Sequence, residues 1–201
     1  FTATLAVVTS RDWRENNRIV NTNAGRLLRR LAVITPVLAY AQLALGAHLR
    51  HFAPDGSPLA FQSLVMWHLT VGLILAAWVV GTAIVFWRKA PGAWSLLISS
   101  TLLVALVGVQ LALGGATWIV KYGWPAFLAN STSASTFTVE ARSWWQAQIT
   151  TAHVATGSLI LAVSTALAVF TCLMVNVPVA LRWQQQVAPQ VQANSLMEAA
   201  V

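Results

Sequence analysis

Residues 90–120 read APGAWSLLISSTLLVALVGVQLALGGATWIV, an unbroken run without a charged side chain. About 20 consecutive apolar residues cross the ~30 Å hydrocarbon layer of a bilayer, and a run bounded by a Pro-Gly turn and a lysine has that length to spare. Three further charge-free runs, Leu31–Leu49, Gly56–Trp87 and Ser143–Leu181, have the same character. The whole chain agrees: of 201 residues 57% are hydrophobic and 8% charged, with a mean hydropathy of +0.67. A soluble domain carries about 25% charged residues. The expected fold is therefore all-α and integral to the membrane, an antiparallel bundle of four transmembrane helices embedded in a lipid bilayer.

The net charge of +7 might suggest a nucleic-acid partner, but the placement of the basic residues argues against one. Arg11, Arg14, Arg18, Arg26, Arg29 and Arg30 precede the first span, Arg88 and Lys89 separate the second from the third, and Arg182 follows the fourth. Only Arg50, Lys121 and Arg142 fall on the opposite side. The positive-inside rule then puts both termini and the Arg88–Gly92 turn in the cytoplasm, with the two longer loops, His51–Val65 and Lys121–Ser143, facing outward. Trp67, Trp118, Trp124, Trp144 and Trp145 fall at the outer ends and Trp87 and Trp94 at the inner ones, as interfacial aromatic belts do.

Punctuation divides the chain into three parts. Residues 1–30 read as the end of an upstream helix followed by a basic cytoplasmic linker, because Phe1–Ser10 is apolar, too short to span, and lacks the features of a signal peptide. Residues 31–177 form the four-helix membrane bundle, with spans at about Leu31–Leu49, Leu64–Trp87, Trp94–Val120 and Trp145–Val175. Pro36 lies in the first half of span one, where a membrane helix tolerates the lost hydrogen bond. Residues 178–201 form a polar, Gln-rich tail. Cys172, the single cysteine, sits in the apolar body of span four and reads as a packing residue.

A pattern is written twice. Gln42-Leu-Ala-Leu-Gly46 precedes a span carrying His68-Leu-Thr-Val-Gly72, and Gln110-Leu-Ala-Leu-Gly114 precedes one carrying His153-Val-Ala-Thr-Gly157. Ionisable residues inside membrane spans are rare and mark functional sites. His68 and His153 fall at similar depth on alternate helices, so their nitrogens can face one metal from two sides. Gly72 and Gly157 lie one turn below, on the same helix faces, and are expected to leave clearance for a flat macrocycle. A zinc site would want further His, Cys or carboxylate ligands. The spans contain no carboxylate, since Asp55 and Glu140 are both in loops. Bis-histidine ligation of a haem b iron is the economical reading. The plainer reading is a small-residue helix contact with the imidazole hydrogen-bonded across it, and close packing with an interhelical amide hydrogen bond is also the expected role of Gln42/Gly46 and Gln110/Gly114.

At the outer ends, Arg50, Lys121 and Arg142 are candidate partners for haem propionates, Arg50 foremost because it ends a bundle helix. His48 and His51 flank Arg50 and read equally as interfacial residues. Asn130-Ser-Thr is a formal glycosylation sequon that carries little weight without a secretory host.

The constellation Gly46-Ala-His-Leu-Arg50-His51, His68, Gln110-Leu-Ala-Leu-Gly-Gly115 and His153 resembles the C-terminal half of the haem A synthase family. The opening Leu5-Ala-Val-Val-Thr-Ser-Arg-Asp-Trp13 is similar to that family's junction between halves, and the likeness runs from Phe1 to about Val177. The resemblance implies an eight-helix protein of two four-helix halves that oxidises a ring methyl of haem O to the formyl of haem A for terminal oxidases. It implies that this half holds haem b through His68 and His153, supplying electrons, while the substrate chemistry belongs to an N-terminal half missing from this chain. It further implies a bacterial inner-membrane location, with haem O as substrate and haem O synthase or oxidase assembly factors as partners. Many members carry a cysteine pair in the outer loop after span one, and His51–Val65 has none. A two-histidine b-type cytochrome exchanging electrons with quinone fits the same ligands, and a structural subunit without haem would share the hydropathy.

Overall fold

A computed structural model describes residues 22–53, 55–125 and 137–175. Four helices follow in order: α1 (Thr22–Arg50), α2 (Pro58–Lys89), α3 (Trp94–Tyr122) and α4 (Trp144–Val175). No strand occurs among the described residues. All four are long and apolar enough to cross a membrane, and the protein is a multi-pass membrane bundle. At 29 to 32 residues each helix extends roughly 44–48 Å at 1.5 Å per residue, beyond the hydrocarbon layer and through the headgroup regions. The surplus length explains two shifted boundaries. α1 begins at Thr22 rather than near Leu31, so Arg26, Arg29 and Arg30 belong to its first turns and not to a linker. α2 begins at Pro58, whose fixed φ suits the first helical position, and takes in residues expected to lie in the loop. The upstream helix end, Arg11, Arg14, Arg18, the Asn130 sequon, Arg182 and the tail all lie outside the described residues.

The helices form a closed ring in which α1 packs on α2, α2 on α3, α3 on α4 and α4 back on α1. α2 and α4 therefore stand at opposite corners and run in the same direction. The turn between α2 and α3 is Ala90–Ala93, made possible by Gly92 at φ 88°, a conformation side chains with a Cβ rarely adopt. α1 passes through Pro36 without a break.

Burial divides the bundle across its length. The buried residues of α1 end at Ala39, those of α2 begin at Leu75, those of α3 end at Val107 and those of α4 begin at Thr156. All of them thus lie toward the end bearing Arg26, Arg29, Arg30, Arg88 and Lys89. This basic half has a dry core of Leu28, Phe86, Leu96, Leu103 and Leu167 around small hydroxyl residues. Thr35, Ser100, Ser164 and Thr171 return their hydroxyls to carbonyls three or four residues back, which satisfies them without a cross-helix partner. Thr35 Oγ1 also accepts from Trp78 Nε1 at 3.2 Å, tying α1 to α2. In lipid, helices associate through packing rather than through water-driven burial. Phe86→Ala should therefore cost about 2 kcal/mol, the cavity contribution without the transfer contribution. Unfolding in mixed detergent measures it, and a neutral result would show that the basic half is loosely packed.

Candidate functional site

The site lies at the level where this dense packing stops. His68 stands ten residues past the start of α2 and His153 nine past the start of α4, so two parallel helices present imidazoles at matched height. Both rings are half-buried.

Each imidazole meets the helix that precedes its own. Gln42 Nε2 lies 3.2 Å from Nδ1 and 3.3 Å from Nε2 of His68, donating to the edge of the ring. Gln110 Nε2 lies 3.4 Å from His153 Nε2. Glycines make the approach close. A Cβ on Gly46 would fall 3.2 Å from His68 Cε1, and one on Gly114 would fall 3.2 Å from His153 Cε1. A Cβ on Gly72 would fall 3.0 Å from Gln42 Nε2, and one on Gly157 would fall 3.3 Å from Gln110 Nε2. Two antiparallel helix pairs, α1–α2 and α3–α4, thus repeat one design: at one level His faces Gly, and one turn deeper Gly faces Gln. Leu43 of α1 reaches Gly157, with its Cδ1 3.6 Å from the position of a Cβ there, and brings the two pairs together.

The interhelical amide bond expected of Gln42 and Gln110 is present, and its partner in each case is the histidine. The clearance expected beneath the histidines takes a different form. Gly72 and Gly157 do face inward on the same side as His68 and His153, but the facing amides fill the space. The reason is antiparallel register. Four residues outward along α1 correspond to four residues back along α2, so the side chain opposite each glycine comes from the other half of the motif.

Several polar atoms at this level have no partner. Gln42 Oε1, Gln110 Oε1 and His153 Nδ1 are buried without a hydrogen bond. Leaving a buried donor or acceptor unmade costs about 1–3 kcal/mol, and three such atoms in one layer make it the candidate site. Among the described residues no group of three or more His, Cys, Asp or Glu could hold a bare metal ion. Structural zinc takes four protein ligands and catalytic zinc three, so the donor set does not suit it. It does suit a macrocycle that brings four nitrogens and asks the protein for two.

Arg50 is the last residue of α1, one turn beyond Gly46, and Lys121 is two turns beyond Gly114; both side chains are exposed at the histidine end. Arg142 is exposed too and held at φ 61°. Its backbone N–H donates to Gln146 Oε1 at 3.0 Å, while Gln146 Nε2 donates to Val120 O at 3.1 Å, so one side chain ties the start of α4 to the end of α3. Ser143 completes the cap by accepting from the Gln146 N–H at 3.2 Å. Gln146 was not apparent as a clamp in the sequence, although Ser143-Trp-Trp-Gln146 has the spacing of a capping box. His48 and His51 are exposed, and Cys172 is a free thiol at the other end of the bundle. Comparison with protein-family models, with curated proteins and with solved structures gives no match.

Proposed function

We propose that this chain is the C-terminal, haem b-binding half of a haem A synthase, with His68 and His153 as the axial ligands of the iron. The observation that carries the proposal is the layer of two imidazoles from opposite corners of the ring, with Gln42 Oε1, Gln110 Oε1 and His153 Nδ1 buried there unpaired. Haem with two imidazole ligands exchanges single electrons, and it supplies the four further nitrogens that the chain lacks. Gly46 and Gly114 let the rings sit against neighbouring helices, while Gly72 and Gly157 admit the glutamines beneath them. Arg50 and Lys121 stand one and two turns farther out, where they would pair with propionates turned toward water. The basic residues at the opposite end support, by the positive-inside rule, a cytoplasmic position for that end, and we propose that the haem lies toward the outer face of a bacterial inner membrane. Oxidation of haem O would then take place in an N-terminal half, with this half delivering electrons, and haem O synthase or oxidase assembly factors would supply or accept the haems.

The test has two stages. The detergent-purified chain, reconstituted with haem b, should show reducible Soret and α bands of a six-coordinate low-spin species. At a free haem concentration 100 times the Kd, the fold should gain about 2.7 kcal/mol. Expression of the parent protein with a haem O source, followed by analysis of extracted haems, then separates a synthase from a b-type cytochrome that exchanges electrons with quinone. Haem A supports the first, and bound haem b without haem A supports the second.

A further inference from the structure

Gln42 and Gln110 do more than pack. Each amide reaches the imidazole of the neighbouring helix, at 3.2–3.3 Å on His68 and 3.4 Å on His153. Each rests on a glycine that admits it closely, Gly72 or Gly157. Each leaves its carbonyl oxygen buried with no donor. A neutral imidazole offers one N–H and one lone pair, so the amide can meet the ring either with its N–H2 or with its oxygen. Rotating the terminal amide by half a turn exchanges its oxygen and nitrogen with almost no change in shape. The oxygen then faces the imidazole edge.

We propose that Gln42 and Gln110 are positioning residues whose carbonyl oxygens accept the N–H of the two metal-binding imidazoles, fixing tautomer and ring orientation and setting the potential of the iron. The inference rests on the haem reading above. An imidazole that gives one nitrogen to a metal carries its proton on the other, and that N–H is almost always held by a carboxylate, a carbonyl or a water. Among the described residues the spans offer no carboxylate, and the backbone carbonyls of α1 and α3 are engaged within their helices. The two glutamines are the acceptors that the bundle provides, one for each ring. Accepting from the N–H makes the imidazole more basic, which favours ferric over ferrous iron and lowers the potential.

The full-length chain, reconstituted with haem b, is compared with Gln42→Leu, Gln110→Leu, Gln42→Glu and Gln110→Glu. The measurements are haem affinity, midpoint potential and the low-spin ferric electron paramagnetic resonance spectrum. Each Leu variant should bind haem about 10–100-fold more weakly, with a raised potential and an altered spectrum. The Glu variants keep the length of the side chain and strengthen the acceptor, so they should retain affinity and lower the potential below that of the natural chain. Leu variants with unchanged affinity, potential and spectrum would overturn the assignment, as would Glu variants that lose affinity as fully as the Leu variants, which would make the role one of packing. Should the unsubstituted chain bind no haem, the parent reading falls as well, and that outcome is visible before any variant is made.

Discussion

If His68 and His153 are the ligands of a haem iron, His68→Ala and His153→Ala should each remove the six-coordinate low-spin spectrum of the reconstituted protein, and the double variant should bind no haem. The size of the effect follows from the count of donors. Among the described residues no third histidine, cysteine or carboxylate stands close enough to replace either imidazole. His48 and His51 are exposed, and they belong to the outer end of α1 and the loop after it. The polypeptide itself should be almost untouched. Each imidazole hydrogen-bonds to one glutamine, an interaction worth about 0.5–1.5 kcal/mol net, and neither belongs to the buried core of the basic half. The apoprotein variants should therefore unfold in mixed detergent within that margin of the natural chain, while failing to gain the stabilisation that haem confers on it. Variants as unstable as Phe86→Ala would identify the histidines as structural and support a subunit without haem.

The four helices were legible because a chain that must satisfy its backbone inside lipid has little choice but helix, and charge-free runs of sufficient length betray each span. Their starts were less legible. Arg26, Arg29 and Arg30 read as the end of a linker, yet a helix can carry arginines into the headgroup region, where long stems reach along the apolar surface to water. Hydropathy reports where the hydrocarbon begins and not where the helix does. The division of the bundle into a tight basic half and a more open histidine half was not legible at all. Residues such as Leu111 and Leu103 look alike in sequence, but the first is exposed and the second buried, and only the assembled ring distinguishes them.

The histidines stood out because imidazoles are rare in spans. Their partners were also written in the chain, in a form that needs two helices to read. In an antiparallel pair, Gln-x-x-x-Gly on one helix complements His-x-x-x-Gly on the other, since each large polar side chain falls opposite a position without one. The duplicated motif is therefore a pairing code for α1 with α2 and for α3 with α4. Taken one helix at a time, Gly72 and Gly157 look like open space beside a ligand. Taken in register, they are the seats of Gln42 and Gln110.

Gly46→Leu and Gly114→Leu should each remove the six-coordinate low-spin spectrum as completely as loss of the facing histidine, although neither glycine touches the iron in any reading. A Cβ at either position would already lie 3.2 Å from the Cε1 of the facing imidazole, tighter than ordinary van der Waals contact. Alanine asks the ring to yield by a few tenths of an ångström. The ring is half-buried and can give that much, at the expense of its alignment with the glutamine. Haem affinity in the Ala variants should accordingly fall by about tenfold, the lower end of what disturbed outer partners of a ligand cost. A leucine has no such latitude, because its branch occupies the space in which the imidazole stands, and the histidine must leave the layer it shares with its counterpart. Gly108 and Gly115 on α3 are the controls, since a Cβ at either meets nothing within 4 Å. Gly108→Ala should leave the spectrum unchanged and stabilise the helix by about 0.5–1 kcal/mol, the ordinary gain from removing a flexible residue within a helix. Haem titration across Gly46→Ala, Gly46→Leu, Gly114→Ala, Gly114→Leu and Gly108→Ala separates the two kinds of glycine. Full affinity in Gly114→Leu would show that His153 binds nothing in the position where α3 holds it.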